Sequence, residues 1–200
     1  MRIWIMAAAV LAVLSGCGGG SSISNDGSES RIGEPEPYEA PAISESEKQA
    51  YLDAINDARS HQQDCGSEGI KDPAPALSWN DKLYRAAYEH SRDLAESNTW
   101  SHDGSGTSSD WTAQVQGLEY STFRDRIENN GYTSWSRIGE NITAGTDRDT
   151  ARKAVEAWLQ SDGHCANLMD PDYTEVGMAH YRKDGSDYTH YWTQDLGTPQ

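Results

Sequence analysis

The spacing of hydrophobic residues changes from a helical period to a strand period near the end of the chain. Between residues 44 and 163, apolar residues recur every three or four positions in four stretches, each of which begins at a residue able to cap a helix. These patterns predict helices over about 46–62, 80–97, 121–131 and 149–163. Glycines are expected to end the last two helices, and these are Gly131 and Gly163.

After residue 175, every second residue is apolar or aromatic in two short runs. The alternating residues are Val176, Met178 and His180 in the first run, and Tyr188, His190 and Trp192 in the second. Residues 183–186 contain an Asp-Gly pair, so the two runs predict a β-hairpin. Helices followed by strands, with no repeated strand–helix–strand unit, indicate the α+β class, with helices laid against a small antiparallel sheet.

The first 17 residues have the organisation of a bacterial lipoprotein signal. Arg2 precedes an apolar run over 3–14 that is too short to span a bilayer. The run leads into a segment that resembles the lipobox, Leu14-Ser15-Gly16-Cys17. We therefore expect a signal peptide over 1–16, a membrane anchor through acylated Cys17, and export to the cell envelope, in the outer membrane if the source is Gram-negative. An ordinary signal peptide before an incidental Cys is the alternative.

Composition separates a linker from a folded part. Residues 17–43 are rich in Gly, Ser, Pro and Glu, which predicts a flexible acidic tether before a single domain over 44–200. The chain has 16 Lys and Arg against 32 Asp and Glu, a formal net charge of −16. This acidity argues against nucleic-acid binding and against adhesion to anionic lipid by a basic patch. We expect the domain to be a monomer.

Three Cys are present, and two remain if Cys17 carries lipid. In an oxidising compartment Cys65 and Cys165 are expected to pair, closing a loop that the chain-entropy model values at about 4 kcal/mol. The alternative is a reactive thiol at Cys165, beside His164.

Three residues stand out as candidate chemistry, because they lie in or beside Gly-containing loops. These are His102, Glu140 and His164. Two neutral imidazoles and one carboxylate are a workable Zn²⁺ set with an open fourth position, and these ligand types favour Zn²⁺ over Ca²⁺ or Mg²⁺. Scattered His are also often structural. The chain contains no Gly-x-Ser-x-Gly elbow and no phosphate-binding glycine loop.

From about Tyr51 to Gly197 the chain resembles the bacterial branch of the CAP superfamily, also called SCP, which includes cysteine-rich secretory proteins, antigen 5 and plant pathogenesis-related proteins. The segments that carry the resemblance are Leu77-Ser78-Trp79-Asn80, Trp100-Ser101-His102, Arg126-Ile127, Gly139-Glu140-Asn141-Ile142, Ser161-Asp162-Gly163-His164-Cys165 and Tyr191-Trp192-Thr193-Gln194-Asp195. The resemblance implies an α-β-α sandwich with a cleft of two His and two Glu, which binds divalent metal in some members.

By this resemblance, His102, Glu140 and His164 are the metal ligands, and Asn141 and Ser161 are ligand-binding positions. Ser161 stands where animal members have the second Glu, which leaves a set of three metal ligands. The Cys65–Cys165 pair also fits a pattern of bacterial relatives. A segment over 108–120 is longer than relatives usually have and is expected to form a lip over the cleft.

Three functions follow as hypotheses. The first is a binding module without enzymatic activity, whose cleft holds a divalent metal, a small ligand such as a lipid, peptide or glycan, or both. The second is a zinc-dependent hydrolase or peptidase that uses His102, Glu140 and His164. The third is a purely structural envelope lipoprotein. A shared fold does not choose among them.

Overall fold

The computed structural model describes residues 38–200. The predicted signal over 1–16, the predicted acylation site at Cys17 and the predicted tether up to residue 37 lie outside the described residues. The helices of the described part are α1 (Glu45–Arg59), α2 (Asp81–Ser97), α3 (Trp111–Gln116), α4 (Phe123–Asn129), α5 (Ala151–Leu159) and α6 (Asp162–Leu168). Its strands are β1 (Gln63–Asp64), β2 (Ile70–Lys71), β3 (Ser78–Trp79), β4 (Trp135–Gly145), β5 (Glu175–Arg182) and β6 (His190–Pro199).

The main sheet has the strand order β3-β5-β6-β4. β3 runs parallel to β5, and the remaining neighbours are antiparallel. The predicted hairpin is therefore confirmed as β5 and β6. In the longest pairing, Glu140 of β4 lies opposite Asp195 of β6. Because β4 is an edge strand, the side chains on it are accessible to loops from both helical layers.

Helices cover both faces of this sheet. Apolar residues of α1 and α5, including Ile55 and Trp158, pack against Trp192 of β6 on one face. Leu94 of α2 packs against Ile142 of β4 on the other face, where α4 joins α2. The architecture is an α-β-α sandwich of the α+β class, as the sequence predicted.

Side-chain caps explain where the two long helices begin. Ser44 accepts a hydrogen bond from the backbone N–H of Glu47 at 3.2 Å, and Asn80 accepts one from Lys82 at 2.9 Å. α2 lies very close to β5 because residue 177 is a glycine, since a Cβ there would collide with the backbone of Tyr84. This close contact fixes the helix whose far end leads to His102.

One helix boundary differs from the prediction. The stretch expected to form a single helix from 149 to 163 is two helices, α5 and α6, separated at Gln160 and Ser161. The cap of α5 is Thr150 rather than Asp149. Gly163 was expected to end the helix, but it lies inside the first turn of α6, because α5 ends at Leu159 and α6 continues to Leu168.

The N-terminal end of the described part packs on α2. The Tyr38 hydroxyl donates to the carbonyl of Arg85 at 3.2 Å, and the Tyr84 hydroxyl donates to the carbonyl of Pro41 at 3.0 Å. Residues 38–43, which composition assigned to the tether, are thus held against the domain. Among the described helices, none is long and apolar enough to cross a membrane.

Candidate functional site

The centre of the site is a hydrogen bond between His102 and Glu140. His102 lies on the loop after α2, and Glu140 lies on β4. The Nδ1–H of His102 donates to Oε1 of Glu140 at 2.8 Å. The His102 side chain is 49% exposed and that of Glu140 is 1% exposed. An accessible imidazole is therefore held in one orientation by a carboxylate that water does not reach.

Arg126 of α4 fixes that carboxylate from behind. Its Nη2 donates to Oε2 of Glu140 at 2.8 Å and to the carbonyl oxygen of His102 at 2.8 Å. Its Nη1 donates to the carbonyl oxygen of Ser121 at 3.0 Å. One fully buried guanidinium thus joins the loop of His102, the strand of Glu140 and the start of α4, which makes Arg126 a positioning residue.

The pKa values of Glu140 and His102 shift in opposite directions. Burial alone would raise the pKa of Glu140. Electrostatic interactions with His90 and with the Arg126 guanidinium, together with the hydrogen bond from His102, lower it instead. The same hydrogen bond raises the pKa of His102, against the opposing effect of its own burial. Glu140 is therefore ionised near neutral pH, and its negative charge makes the His102 imidazole more basic.

His164 forms the other wall of the site from α6. Its ring centroid lies 6.2 Å from that of His102, with the planes at 50°. Burial lowers the pKa of His164, and the neighbouring His102 lowers it further, so His164 is neutral near pH 7. The two imidazoles approach from the two helical layers, around the edge of the sheet at β4.

A disulfide and an amide hold α6 in place. The predicted Cys65–Cys165 disulfide is present, and Cys165 directly follows His164. The Asn141 amide donates to the carbonyl oxygen of His164 at 3.3 Å and to the Gln194 side chain at 3.0 Å. Asn141 is 1% exposed, so in this arrangement its side chain fixes the backbone beside His164.

Ser161 and the insertion lie around the site. Ser161 is the N-cap residue of α6 and is partly exposed, three positions before His164. The segment expected to form a lip contains α3, whose Thr112 N–H donates to Glu89 of α2 at 2.7 Å. The Thr112 hydroxyl oxygen also accepts a hydrogen bond from the side-chain amide of Asn129 in α4 at 3.1 Å. These bonds place the segment against α2 and α4. Its Asp110 accepts a hydrogen bond at 3.1 Å from the Gly106 N–H of the loop that follows His102, and the lip over the cleft stays a prediction.

Two buried groups beneath the site were not identified as functional from the sequence. The Nε2–H of His90 donates to the Ser101 carbonyl at 3.0 Å, and burial lowers the pKa of His90 to about 3. Asp195 lies directly opposite Glu140 on the neighbouring strand β6. Neither of its carboxyl oxygens has a hydrogen-bond partner. Burial and the charge of Glu140 raise the pKa of Asp195 well above its ordinary value, so it is neutral.

A family model described as the cysteine-rich secretory protein family, CAP, matches residues 52–196. The chain belongs to the CAP family. That match includes His102, Glu140 and His164, together with the sheet and five of the helices that position them. The resemblance read from the sequence motifs is thereby confirmed for the fold and for the family.

The CAP domain is similar to proteins of several bacteria. The uncharacterized membrane protein YlbC of Bacillus subtilis strain 168 is 31% identical over 127 residues, which are 64% of this chain and 30% of YlbC. An extracellular protein containing an SCP domain from Bacillus anthracis has a TM-score of 0.55 at 23% identity, over 82% of this chain and 48% of that one. An outer surface protein from Borrelia burgdorferi has a TM-score of 0.57 at 19% identity, over 80% of this chain and 97% of that one. The chain thus spans less than half the length of the first two relatives.

Within residues 38–200 of this CAP domain, no group of three or more His, Cys, Asp or Glu side chains is arranged to hold a metal ion. The geometry of Glu140 explains why the three predicted ligands do not converge on one point. Both oxygens of Glu140 are already directed at His102 and Arg126, so the carboxylate lies behind His102 and does not point between the two imidazoles. The residues that face each other across the cleft are His102 and His164.

Proposed function

We propose that this CAP domain is an exported binding module whose cleft holds a divalent metal between His102 and His164. The observation that carries the proposal is the bond from Nδ1 of His102 to Glu140. It leaves Nε2 as the nitrogen available to a metal. Coordination positions that the two imidazoles do not fill would go to water and to a small ligand of the envelope.

The donor set fits a zinc-type ion. A metal-binding His commonly donates its other ring N–H to a carboxylate, which fixes the tautomer and raises the basicity of the ligand. Glu140 stands in that relation to His102. Zinc–nitrogen bonds of about 2.0–2.1 Å would place two tetrahedrally bound imidazole centroids about 5 Å apart. The observed 6.2 Å requires the rings to approach by about 1 Å, which a change of side-chain rotamer at the partly exposed His164 allows while His102 stays on Glu140.

The arrangement supports binding in preference to hydrolysis. A bound metal would supply Lewis-acid coordination to an oxygen of the ligand. A hydrolase also needs a base within reach of the attacking water, but both oxygens of Glu140 are committed to His102 and Arg126. Asp195 is buried and neutral. Neither carboxyl group is therefore free to remove a proton in the cleft.

Export and lipid anchoring belong to the same proposal. They are supported by the apolar run over 3–14 after Arg2 and by the lipobox-like sequence that ends in Cys17. The descriptions of the two similar solved structures, an extracellular protein and an outer surface protein, agree with export. Mass spectrometry of the membrane fraction tests the anchor, since acylation at Cys17 adds the mass of the lipid, whereas a Cys17→Ser chain should be released.

Calorimetric titration of Zn²⁺ into the full chain tests the cleft. We expect a saturable binding step that is absent from the His102→Ala/His164→Ala variant. His61→Ala is the matched control, because His61 is an exposed histidine at the end of α1, and it should leave that step unchanged. A titration that is identical in the wild-type protein and in the double variant would overturn the proposal.

A further inference from the structure

A second pair of histidines lies on the β5–β6 hairpin, outside the cleft. His180 is opposite Trp192 in the strand register, and His190 is opposite Arg182, so the two histidines are diagonal neighbours. Nε2 of His180 lies 2.9 Å from Nδ1 of His190. The ring planes differ by 16°, and the centroids are 5.1 Å apart. Asp195, which lies beneath the cleft, follows His190 by five positions on β6, so the pair is about 17 Å from it along the strand.

The separation of these two nitrogens is also the separation that a metal requires. As a hydrogen bond, the pair has one ring nitrogen donating its proton and the other accepting it. Two nitrogens in adjacent coordination positions, each about 2.0–2.1 Å from a metal, are about 2.9–3.4 Å apart. A metal ion can therefore take the place of the shared proton if the His190 ring rotates so that its lone pair converges with that of His180.

The position of His180 is fixed before any ligand arrives. Its ring stacks on Trp192, with centroids 4.2 Å apart and planes at 18°. The Trp192 indole N–H donates to the carbonyl oxygen of Arg148 at 2.6 Å, and Trp192 is 2% exposed. Because Trp192 is buried and hydrogen-bonded, the His180 ring that stacks on it loses little conformational freedom when a metal binds, which favours affinity.

The surroundings of the pair also suit a cation. Asp149, which precedes α5, acts electrostatically on His180 and is itself paired with Lys153 at 2.8 Å. The opposing charge of Arg182 is paired with Asp184 at 2.8 Å. Both histidines are partly exposed, so an ion can reach them.

We propose that His180 and His190 form a second metal site, for a transition-metal ion that prefers imidazole ligands, such as Ni²⁺, Cu²⁺ or Zn²⁺. The two ring nitrogens chelate the ion, and water completes its coordination. This site is independent of the cleft, since it shares no residue with His102, Glu140 or His164.

The indole N–H of Trp192 is a natural reporter for this site. We would titrate the full chain carrying His102→Ala/His164→Ala with Ni²⁺ alone and follow the Trp indole signals by NMR. The paramagnetic ion should selectively broaden the Trp192 signal, with saturation near one equivalent. His180→Gln or His190→Asn, each of which keeps a polar atom near the lost nitrogen, should abolish that saturable broadening.

The same indole spectra provide the control and the results that would overturn the proposal. His61→Asn should leave the broadening unchanged, and an unaltered pattern of the other indole signals shows that each variant is folded. Broadening of Trp192 that persists in both hairpin variants, or that never saturates, would overturn the proposal. Because the cleft histidines are absent from this background, the result does not depend on the proposed function of the cleft.

Discussion

The molecule brings two pairs of imidazoles together by different means. In the cleft, His102 and His164 come from a loop and a short helix, and hydrogen bonds to an ionised carboxylate set the orientation of one ring. In the hairpin, His180 and His190 come from adjacent strands, and the strand register with stacking on Trp192 sets their positions. The two ring centroids are 6.2 Å apart in the cleft pair and 5.1 Å apart in the hairpin pair.

The difference lies in what each pair depends on. The cleft pair relies on buried charge, so one substitution in Arg126 or Glu140 affects several elements at once. The hairpin pair relies on a sheet that forms for other reasons, so its histidines can be changed without disturbing their support. A site of the first kind is sensitive to substitutions in several elements, and a site of the second kind is sensitive to its own ligands and to Trp192, on which His180 stacks.

The largest effect is expected for Arg126→Met. This change leaves the buried Glu140 carboxylate without its cation, which costs about 3–5 kcal/mol when one partner of a buried pair is removed. Urea unfolding at pH 7 measures the loss, and Zn²⁺ binding at the cleft should disappear with it. Arg124→Met is the control on the same helix, since Arg124 pairs with Glu128 at the surface and should cost about 1 kcal/mol or less. Equal losses for the two variants would contradict the role given to Arg126.

Glu140→Gln should weaken the cleft and spare the hairpin. The loss of the carboxylate behind a metal-binding His typically reduces metal affinity by about 10–100-fold. Calorimetry with Zn²⁺ should show that reduction for the cleft step, while Ni²⁺ broadening of Trp192 stays the same. If both responses fall together, the two sites are not independent.

Asp195→Asn should change how stability depends on pH. The pKa of Asp195 is raised in the folded protein, above an ordinary value of 3.8. In the wild-type protein the folded state therefore holds a proton that the unfolded state releases above that value, and stability falls as pH rises. Each unit of pKa difference is worth about 1.4 kcal/mol.

The variant should lose this slope and gain stability relative to the wild-type protein as pH rises from 5 to 8. Denaturant unfolding across that range is the measurement. Asp187→Asn, an exposed carboxyl in the connection between β5 and β6, should leave the slope unchanged. Parallel curves for wild-type and Asp195→Asn proteins would show that Asp195 is ionised in the folded state.

The smallest effect on stability is expected in the hairpin. His180→Gln and His190→Asn each weaken one hydrogen bond, and His180→Gln also removes the ring that stacks on Trp192, so each variant should lose only about 1 kcal/mol. Thermal unfolding should therefore place both variants close to the wild-type protein, although both lose the metal response. A loss comparable to that of Arg126→Met would mean that the pair is a structural element of the sheet.

The sequence predicted those parts of the fold that local patterns determine. Ser44 and Asn80 cap the two long helices, and the alternation from Val176 to Trp192 became β5 and β6. β4 was missed, because its buried face carries polar residues such as Glu140, whose partners lie far away in sequence. α3 and α6, with six and seven residues, were missed because neither shows a clear apolar stripe between two recognisable ends. α4 is as short, but Thr122 caps it and Phe123 and Ile127 mark its inner face.

The site was predictable to a similar degree. His102, Glu140 and His164 were found from their loops and from the family motif, and the structure brings the two histidines together. Arg126 was quoted only as part of a motif, and its role depends on contacts that no local spacing encodes. Asp195 gave no signal, because its environment is created by the pairing of β4 with β6.

The central claim is that Glu140 holds His102 so that Nε2 is left for a metal. The direct test is ¹⁵N NMR of the histidine side chains of the full chain at pH 8, with and without Zn²⁺. The account predicts that His102 carries its proton on Nδ1, that Zn²⁺ shifts its Nε2 together with one nitrogen of His164, and that Glu140→Gln reduces the preference for this tautomer. A proton on Nε2 of His102, or a His102 spectrum that Zn²⁺ does not change, would contradict it.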